Sequence, residues 1–292
     1  MKFLIADAFT DTTFGGNPAG IVLLSDGADF PSDELCVKTA AELRYSETAF
    51  IKILDNHEFQ IRYFTPAAEV DLCGHATIAS FYALMHLGII EKNCTCINHT
   101  LAGDLNIEVK DGFIMMDMAS PEEISIMDDP EKIKELYDIM GASYNPSMNL
   151  PVPRMISTGL PDIMMPVADL AALNAIEPDM KALSALSERY GVVGVHAFTV
   201  SCEEGVTAHA RNFAPLYDID EEAATGTSSG AMTYYFYLNK LIEAKSSCKF
   251  IQGEKMDRPS VILTEIEASC ETCRIKVGGS AVILAEGEIH IG

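Results

Sequence analysis

Basic residues are scarce in this chain: 20 Lys and Arg stand against 43 Asp and Glu in 292 residues, a formal charge of −23. Nucleic acid and anionic membrane surfaces would be repelled, so neither is expected as a partner. The acidic exterior reads as a solubility device. A long apolar run is also missing. The longest stretch, Ala76 to Ile90, carries Ser80 and His86 and falls short of the ~20 residues a membrane span needs. No targeting segment is visible, because Asp7 follows Met1–Ile5 before a signal-peptide core can develop. A cytoplasmic protein is the expectation. The 8 cysteines should then be reduced thiols, and the sequons at Asn93 and Asn98 carry no meaning. Cys94, Cys96, Cys270 and Cys273 could supply four thiolates to zinc if the fold gathered them. They read instead as one face of a strand and the flanks of a turn, so no metal is expected.

What the sequence does contain is a statement made twice. Arg62-Tyr63-Phe64-Thr65-Pro66 is followed by Cys73-Gly74-His75-Ala76-Thr77, which opens an apolar helix. Arg211-Asn212-Phe213-Ala214-Pro215 is followed by Thr225-Gly226-Thr227-Ser228-Ser229, which opens another. Helix-like stretches precede both copies, ending in Arg44-Tyr45-Ser46-Glu47 and in Arg189-Tyr190-Gly191-Val192. The second copy lacks a counterpart of Glu47. A duplicated half with one carboxylate implies two mirrored lobes around a site served by one acid/base group.

Alternation and turn residues predict strands at Phe3–Phe9, Ala19–Leu24, Thr48–Leu54, Glu58–Phe64, Thr95–Thr100, Gly103–Lys110 and Phe113–Met118. Ser32 caps a helix in the first copy, and Asp179–Tyr190 is its match in the second. Further strands are expected at Met164–Val167, His196–Ser201, Val206–Phe213, Val261–Leu263, Arg274–Val277, Val282–Ala285 and Glu288–Ile291. The boundary falls in the acidic, proline-bearing stretch from Pro121 to about Pro153, with a helix at Pro130–Met140 inside it. The fold class is therefore α+β, with an N-terminal lobe over 1–121 and a C-terminal lobe over 122–292, whose last strand packs back towards the first lobe. Each lobe is a curved, mostly antiparallel sheet wrapped around an apolar helix, with the active site in the cleft between lobes.

The chemistry gathers at the two helix openings. A helix N-terminus exposes unpaired N–H groups and a partial positive charge. Gly74-His75 and Gly226-Thr227 let a carboxylate approach the backbone closely. Glu47, flanked by Ser46 and Thr48, is the candidate acid/base, its pKa raised by partial burial. His75 is the candidate proton relay or hydrogen-bond donor. Asp71 and Glu69 cap or orient the helix entry.

These residues resemble the phenazine-biosynthesis PhzF-like family. The resemblance rests on the ordered set Asp7-Ala8-Phe9-Thr10, Gly16-Asn17-Pro18-Ala19-Gly20, Ser46-Glu47-Thr48, Phe64-Thr65-Pro66, Cys73-Gly74-His75-Ala76-Thr77, Phe213-Ala214-Pro215, Thr225-Gly226 and Gly278-Gly279. It implies a diaminopimelate-epimerase-like fold, a homodimer and cofactor-independent isomerisation of a small carboxylate. The family's founding activity moves a proton in trans-2,3-dihydro-3-hydroxyanthranilate, with its acid/base glutamate at Glu47 and its pocket histidine at His75. The family's aspartate-proline pair before the second Thr-Gly is Glu222-Ala223 here, and a following serine is Thr227. Either the backbone absorbs the extra methylene of Glu222 or the substrate differs. Related epimerases open both helices with cysteine. Here the openings are Cys73 and Thr225, and a hydroxyl is a poor substitute for a thiol. A racemase or epimerase therefore ranks below a single-base isomerase, with a non-enzymatic binding protein as the third alternative.

Overall fold

The computed structural model describes residues 1–144 and 150–291. The chain divides into two units, Met1–Asp117 with Gly278 onward, and Met118–Val277. In the first unit the elements are β1 (Lys2–Ala8), β2 (Asn17–Leu23), α1 (Asp33–Leu43), β3 (Thr48–Asp55), β4 (Glu58–Phe64), β5 (Glu69–Val70), α2 (Gly74–His86), β6 (Asn93–Thr100), β7 (Gly103–Lys110) and β8 (Phe113–Asp117). The chain's last strand, Ala281–Glu288, lies antiparallel along the free side of β1. The sheet then runs β1, β2, β3, β4, β6, β7, β8, antiparallel except at β2–β3 and β4–β6.

Local chemistry explains the two helices. The Ser32 hydroxyl accepts the Leu35 N–H at 3.4 Å, and Asp33 and Glu34 favour the positive end of α1. That helix buries Cys36 and Ala40 in a cluster with Val22, Leu24, Phe50 and Phe64. By contrast, α2 is buried from His75 to Phe81 without a break and packs on β1, β2, β3, β8 and the last strand. Its Phe81 meets Phe59 edge-to-face at 5.5 Å, and each such fully buried ring contributes ~1.5–3 kcal/mol. Thr77 is tolerated inside because its hydroxyl donates to Cys73 O at 2.7 Å and pairs with Tyr63 at 2.6 Å.

The second unit holds β9 (Glu122–Ile126), α3 (Pro130–Ile139), β10 (Arg154–Ser157), β11 (Pro161–Pro166), α4 (Leu170–Asn174), α5 (Met180–Tyr190), β12 (Gly194–Val200), β13 (Ala208–Ala214), β14 (Ile219–Glu222), α6 (Gly226–Leu238), β15 (Lys245–Gln252) and β16 (Ser260–Ala268). A further strand, β17 (Cys273–Gly279), carries the chain across the unit boundary. Its sheet runs β9, β10, β11, β12, β13, β15, β16, parallel only at β11–β12 and β13–β15. This is the strand order and direction of the first unit over again. The enclosed helix is α6, packed on β10, β11 and β16, while α3, α4 and α5 contribute Ile133, Leu136, Leu173 and Leu183 to a core with Met155, Ile163, Val195 and Phe213 of β10 to β13.

Register makes the duplication quantitative. Thr48 pairs with Phe64, and Val195 with Phe213. The two helices before these strands end in left-handed caps, Arg44 (φ 62°) and Gly191 (φ 65°), each four residues short of that pair. Aligning Arg44 with Arg189, as the sequence invites, is therefore two residues out of step. Arg44 answers to Gly191, and Glu47 answers to Gly194. Likewise Tyr63 faces Val70 while Asn212 faces Glu222, so Glu222 answers to Val70. Arg62 and Arg211 do match: each clasps a carboxylate with two bonds, Glu69 at 2.7 and 2.6 Å and Glu221 at 2.9 and 2.8 Å, and each lies over the phenylalanine two residues on.

Other expectations shift in detail. Residues expected as two terminal strands, Val282–Ala285 and Glu288–Ile291, form one strand ending at Glu288. The expected inter-lobe connection contributes β9 to the second sheet, and its residues 145–149 lie outside the described residues. Strands β10 and β15 and helix α4 were not anticipated, because β10 and α4 are too short to show a period and β15 is mostly polar.

A β-carbon at Gly194 would sit 1.7 Å from Phe213 O, whereas at Gly20 it would meet only side chains, Thr48 at 3.0 Å and Leu43 at 3.3 Å. Gly194→Ala should therefore cost about 3 kcal/mol or more, and Gly20→Ala clearly less, in urea unfolding. Equal losses would show that the backbone at Gly194 yields freely.

Candidate active site

Glu47 is held by what surrounds it in the chain. The left-handed cap at Arg44 turns the backbone out of α1, and Glu47 O accepts the Gly20 N–H at 3.3 Å as β3 begins. His75 is the second residue of α2 and its side chain is 4% exposed. The Glu47 side chain is 16% exposed, and its Oε2 stands 3.1 Å from His75 Nε2. That oxygen is buried and receives no hydrogen bond of good geometry. Around the ring, Asn17 Nδ2 lies 3.2 Å and Cys73 Sγ 3.4 Å from Nδ1, with Ser46 Oγ 3.4 Å from Nε2. Cys73 opens α2 without capping it through a side-chain hydrogen bond.

The electrostatics differ from the sequence expectation. Burial alone would raise the Glu47 pKa, but the close approach and charge of His75, with Ser46 and Cys73 nearby, outweigh it and hold the carboxyl below its ordinary value. For His75, burial opposes the charged ring, yet Cys73 and Glu47 raise its pKa well above the usual imidazole range. Burial, reinforced by the Glu47 charge, pushes the Cys73 thiol up to about 11, so it is no thiolate at neutral pH. The site therefore rests as an ion pair with a neutral thiol beside it. The expected raised pKa of Glu47 is corrected to a lowered one, because the partner's charge exceeds the desolvation penalty.

In the second unit, Thr225 stands where Cys73 stands in the first, again without a capping bond from its side chain. Its hydroxyl donates to Glu222 Oε2 at 2.6 Å. Gln252 ties the two together, donating to Glu222 O at 2.7 Å and accepting the Thr225 N–H at 3.2 Å. Gly226 is buried and Thr227 half-buried, with Thr227 O accepting the Thr158 hydroxyl at 2.8 Å. Glu47, Cys73, Gly74 and His75 thus gather in one unit, and Glu222, Thr225, Gly226 and Thr227 in the other.

Asp162 escaped the sequence reading. It is buried and accepts a short hydrogen bond from Ser228 in the first turn of α6. Burial pushes its carboxyl up to about 7, Ser228 opposing and Glu222 adding to the rise. A signal was present: Gly159-Leu160-Pro161 repeats Gly16-Asn17-Pro18, and register places Asp162 opposite Gly194 as Ala19 stands beside the start of β3. As for cations, the ligand atoms of Glu47, Cys73 and His75 lie within 4.8 Å of one another, close enough to chelate one.

With this geometry in place, comparison with known proteins decides the family. The profile of the phenazine biosynthesis-like (PhzC-PhzF) proteins matches residues 6–287. The chain belongs to that family. Within it, an uncharacterized isomerase from Clostridium acetobutylicum is 33% identical over 294 residues, covering 97% of this chain and 96% of the relative. The trans-2,3-dihydro-3-hydroxyanthranilate isomerase of Pseudomonas fluorescens is 28% identical, covering 99% of each chain. The crystal structure of a PhzF-family protein from Bacillus anthracis superposes with a TM-score of 0.87 at 28% identity, covering 100% of this chain and 99% of that one. By class the chain is a PhzF-like isomerase. No helix among the described residues is long and apolar enough to cross a membrane.

The ion pair makes a pH prediction. Glu47, lowered from 4.5, contributes stability that is present above pH 4.5 and lost as pH falls through its folded value. His75, raised from 6.5, contributes stability that is full below pH 6.5 and lost as pH rises through its folded value. The difference in urea stability between wild type and Glu47→Gln should be greatest between those two values and shrink on both sides. A difference that instead grew steadily above pH 6.5 would mean that the pair is not ionic.

Proposed function

We propose that this isomerase shifts a proton between two carbons of a small carboxylate-bearing substrate without a cofactor, and that Glu47 is its single acid/base group. The observation that carries the reading is the buried Glu47 Oε2, 3.1 Å from His75 and without a good hydrogen bond. Its lowered pKa keeps it ionised at neutral pH, and its empty lone pair can accept a proton from carbon. In the step, Glu47 takes the proton from an activated C–H, and the bonding electrons enter the neighbouring π system. The double bond migrates, and the same carboxyl returns its proton further along the same face. Nothing is gained or lost overall. The backbone amides that open α2, at Gly74 and His75, stabilise negative charge as it builds on the substrate carboxylate or enolate.

Residue types favour one base over two. A racemase needs a second acid on the opposite face, and Thr225, which takes the place of the first unit's cysteine, is spent on Glu222. Glu222 and Thr227 are assigned hydrogen-bonding roles at the second helix opening. The homodimer implied by the family resemblance and the cytoplasmic location expected from the sequence belong to this same reading.

Two measurements test it. In deuterated water, turnover of a true substrate should place deuterium in the product, or return it to the recovered substrate. Glu47→Gln should lower kcat by ~10²–10⁴-fold, the usual worth of a positioned general base. Full turnover by that variant removes Glu47 from the mechanism. Trans-2,3-dihydro-3-hydroxyanthranilate is the first substrate to try, alongside other small unsaturated carboxylates. Glu222→Asp distinguishes the two explanations of the family departure. Higher activity on the phenazine precursor would mean that the longer carboxylate had tuned this chain to a different substrate.

A further inference from the structure

A second cluster of chemically capable side chains sits away from the catalytic residues. Cys94 and Cys96 alternate along β6 and so point to one face, with their sulfurs 3.8 Å apart. His57, in the turn joining β3 to β4, brings Nδ1 to 3.7 Å from Cys96 Sγ. The turn is anchored there by the backbone, because Ile97 N–H donates to His57 O at 2.8 Å and Glu58 lies beside Ile97 in the parallel β4–β6 pairing. All three donor atoms fall within 4.8 Å of one another.

These separations match the edges of a coordination tetrahedron. Zinc bonds of ~2.3 Å to sulfur and ~2.05 Å to nitrogen give sulfur–sulfur edges of ~3.8 Å and sulfur–nitrogen edges of ~3.6 Å. No side chain must travel far to bind. Cys96 is fully buried, Cys94 partly buried and His57 exposed, so a cation could enter past the imidazole and lodge against the thiols. Burial, with the Cys94 thiol next, pushes the Cys96 thiol up to about 12. A divalent cation would reverse that penalty, as thiol ligands ionise on metal binding.

We propose that His57, Cys94 and Cys96 form a binding site for a soft thiophilic cation, zinc above all. Two thiolates and one imidazole are its ligands, and a fourth position remains for water. The alternative of a hard cation is disfavoured, since calcium and magnesium take oxygen ligands. On binding, both thiol protons pass to the buffer and no electron changes hands. Eight residues of strand at ~3.3 Å each, roughly 26 Å, lie between Glu47 at the start of β3 and His57 beyond its end. The site is therefore a peripheral one, independent of the proton-transfer proposal.

Cobalt(II) titration of the reduced full-length protein tests the site, since thiolate ligation gives cobalt a charge-transfer absorption that oxygen ligands do not. One equivalent should bind, show that band, and be displaced by zinc. Loss of even an outer-shell partner typically weakens a metal site ~10–100-fold, so Cys94→Ser and His57→Ala should each weaken binding at least tenfold. Both positions are solvent-accessible enough to keep the fold intact if Cys96→Ser does not. A Glu47→Gln/Cys73→Ser variant, which dismantles the other candidate chelate, should retain the band. Saturating zinc should raise the Tm of wild type more than that of Cys94→Ser. Three results would overturn the proposal: no saturable band, a band that survives in Cys94→Ser and His57→Ala, or one that disappears only in the Glu47→Gln/Cys73→Ser variant.

Discussion

An apolar helix sealed inside a sheet has only its ends through which to meet anything polar, and that constraint organises both halves of this protein. Along α2 the burial is continuous from His75 to Phe81, and along α6 from Ser228 to Thr233. Of the hydroxyls in these stretches, Thr77 and Thr233 bond back one turn, to Cys73 O and Ser229 O, and Ser228 donates to Asp162. What remains is the first turn, where amide donors have no helical partner. Neither Cys73 nor Thr225 offers a side-chain cap. The polar residues of each unit collect around these openings.

The duplication then explains why the halves are not equivalent. The scaffold was copied closely: same strand order, same parallel pairs, the same arginine clasp, and two enclosed helices of 13 residues each. Outside that clasp, the acidic groups of the candidate site were not copied. The first unit has Glu47 where the second has Gly194, and the second has Glu222 where the first has Val70. At Gly194 the gap is filled by main chain, since Phe213 O occupies the space a side chain would need. The asymmetry is built into the backbone and not merely into side-chain choice. A single substitution at Gly194 could not restore a second acid/base group there.

Much of this was legible in the sequence because the repeat is written in residue types with strong local meaning. Arg62-Tyr63-Phe64 and Arg211-Asn212-Phe213 marked equivalent strands, and the Gly-containing openings marked both buried helices. Glu47 and His75 could be selected from their neighbours, but not their mutual charge state. That depends on a 3.1 Å contact between residues 28 positions apart, and on burial that no local pattern records. Glu222 was visible, while Asp162 was not, since its burial comes from strand pairing and a serine 66 residues away. The helix caps were misaligned for a similar reason: Arg189 looks like Arg44, but the left-handed cap is Gly191. Side-chain identity suggested one correspondence, and backbone conformation fixed another.

The strand Ala281–Glu288 lies against β1 along its whole length, and beyond it Met1 and Ile289 exchange two main-chain bonds, at 3.0 and 2.9 Å. Domains emerging from a ribosome ordinarily complete themselves in order of synthesis. Here the unit begun first must wait for residues made after the second, while Met118–Val277 is one continuous stretch. The nascent protein would hold β1 with an unpaired edge until the whole second unit has been made. In that interval the acidic surface, with its mutual repulsion, is the chain's protection against pairing with a neighbour's strand.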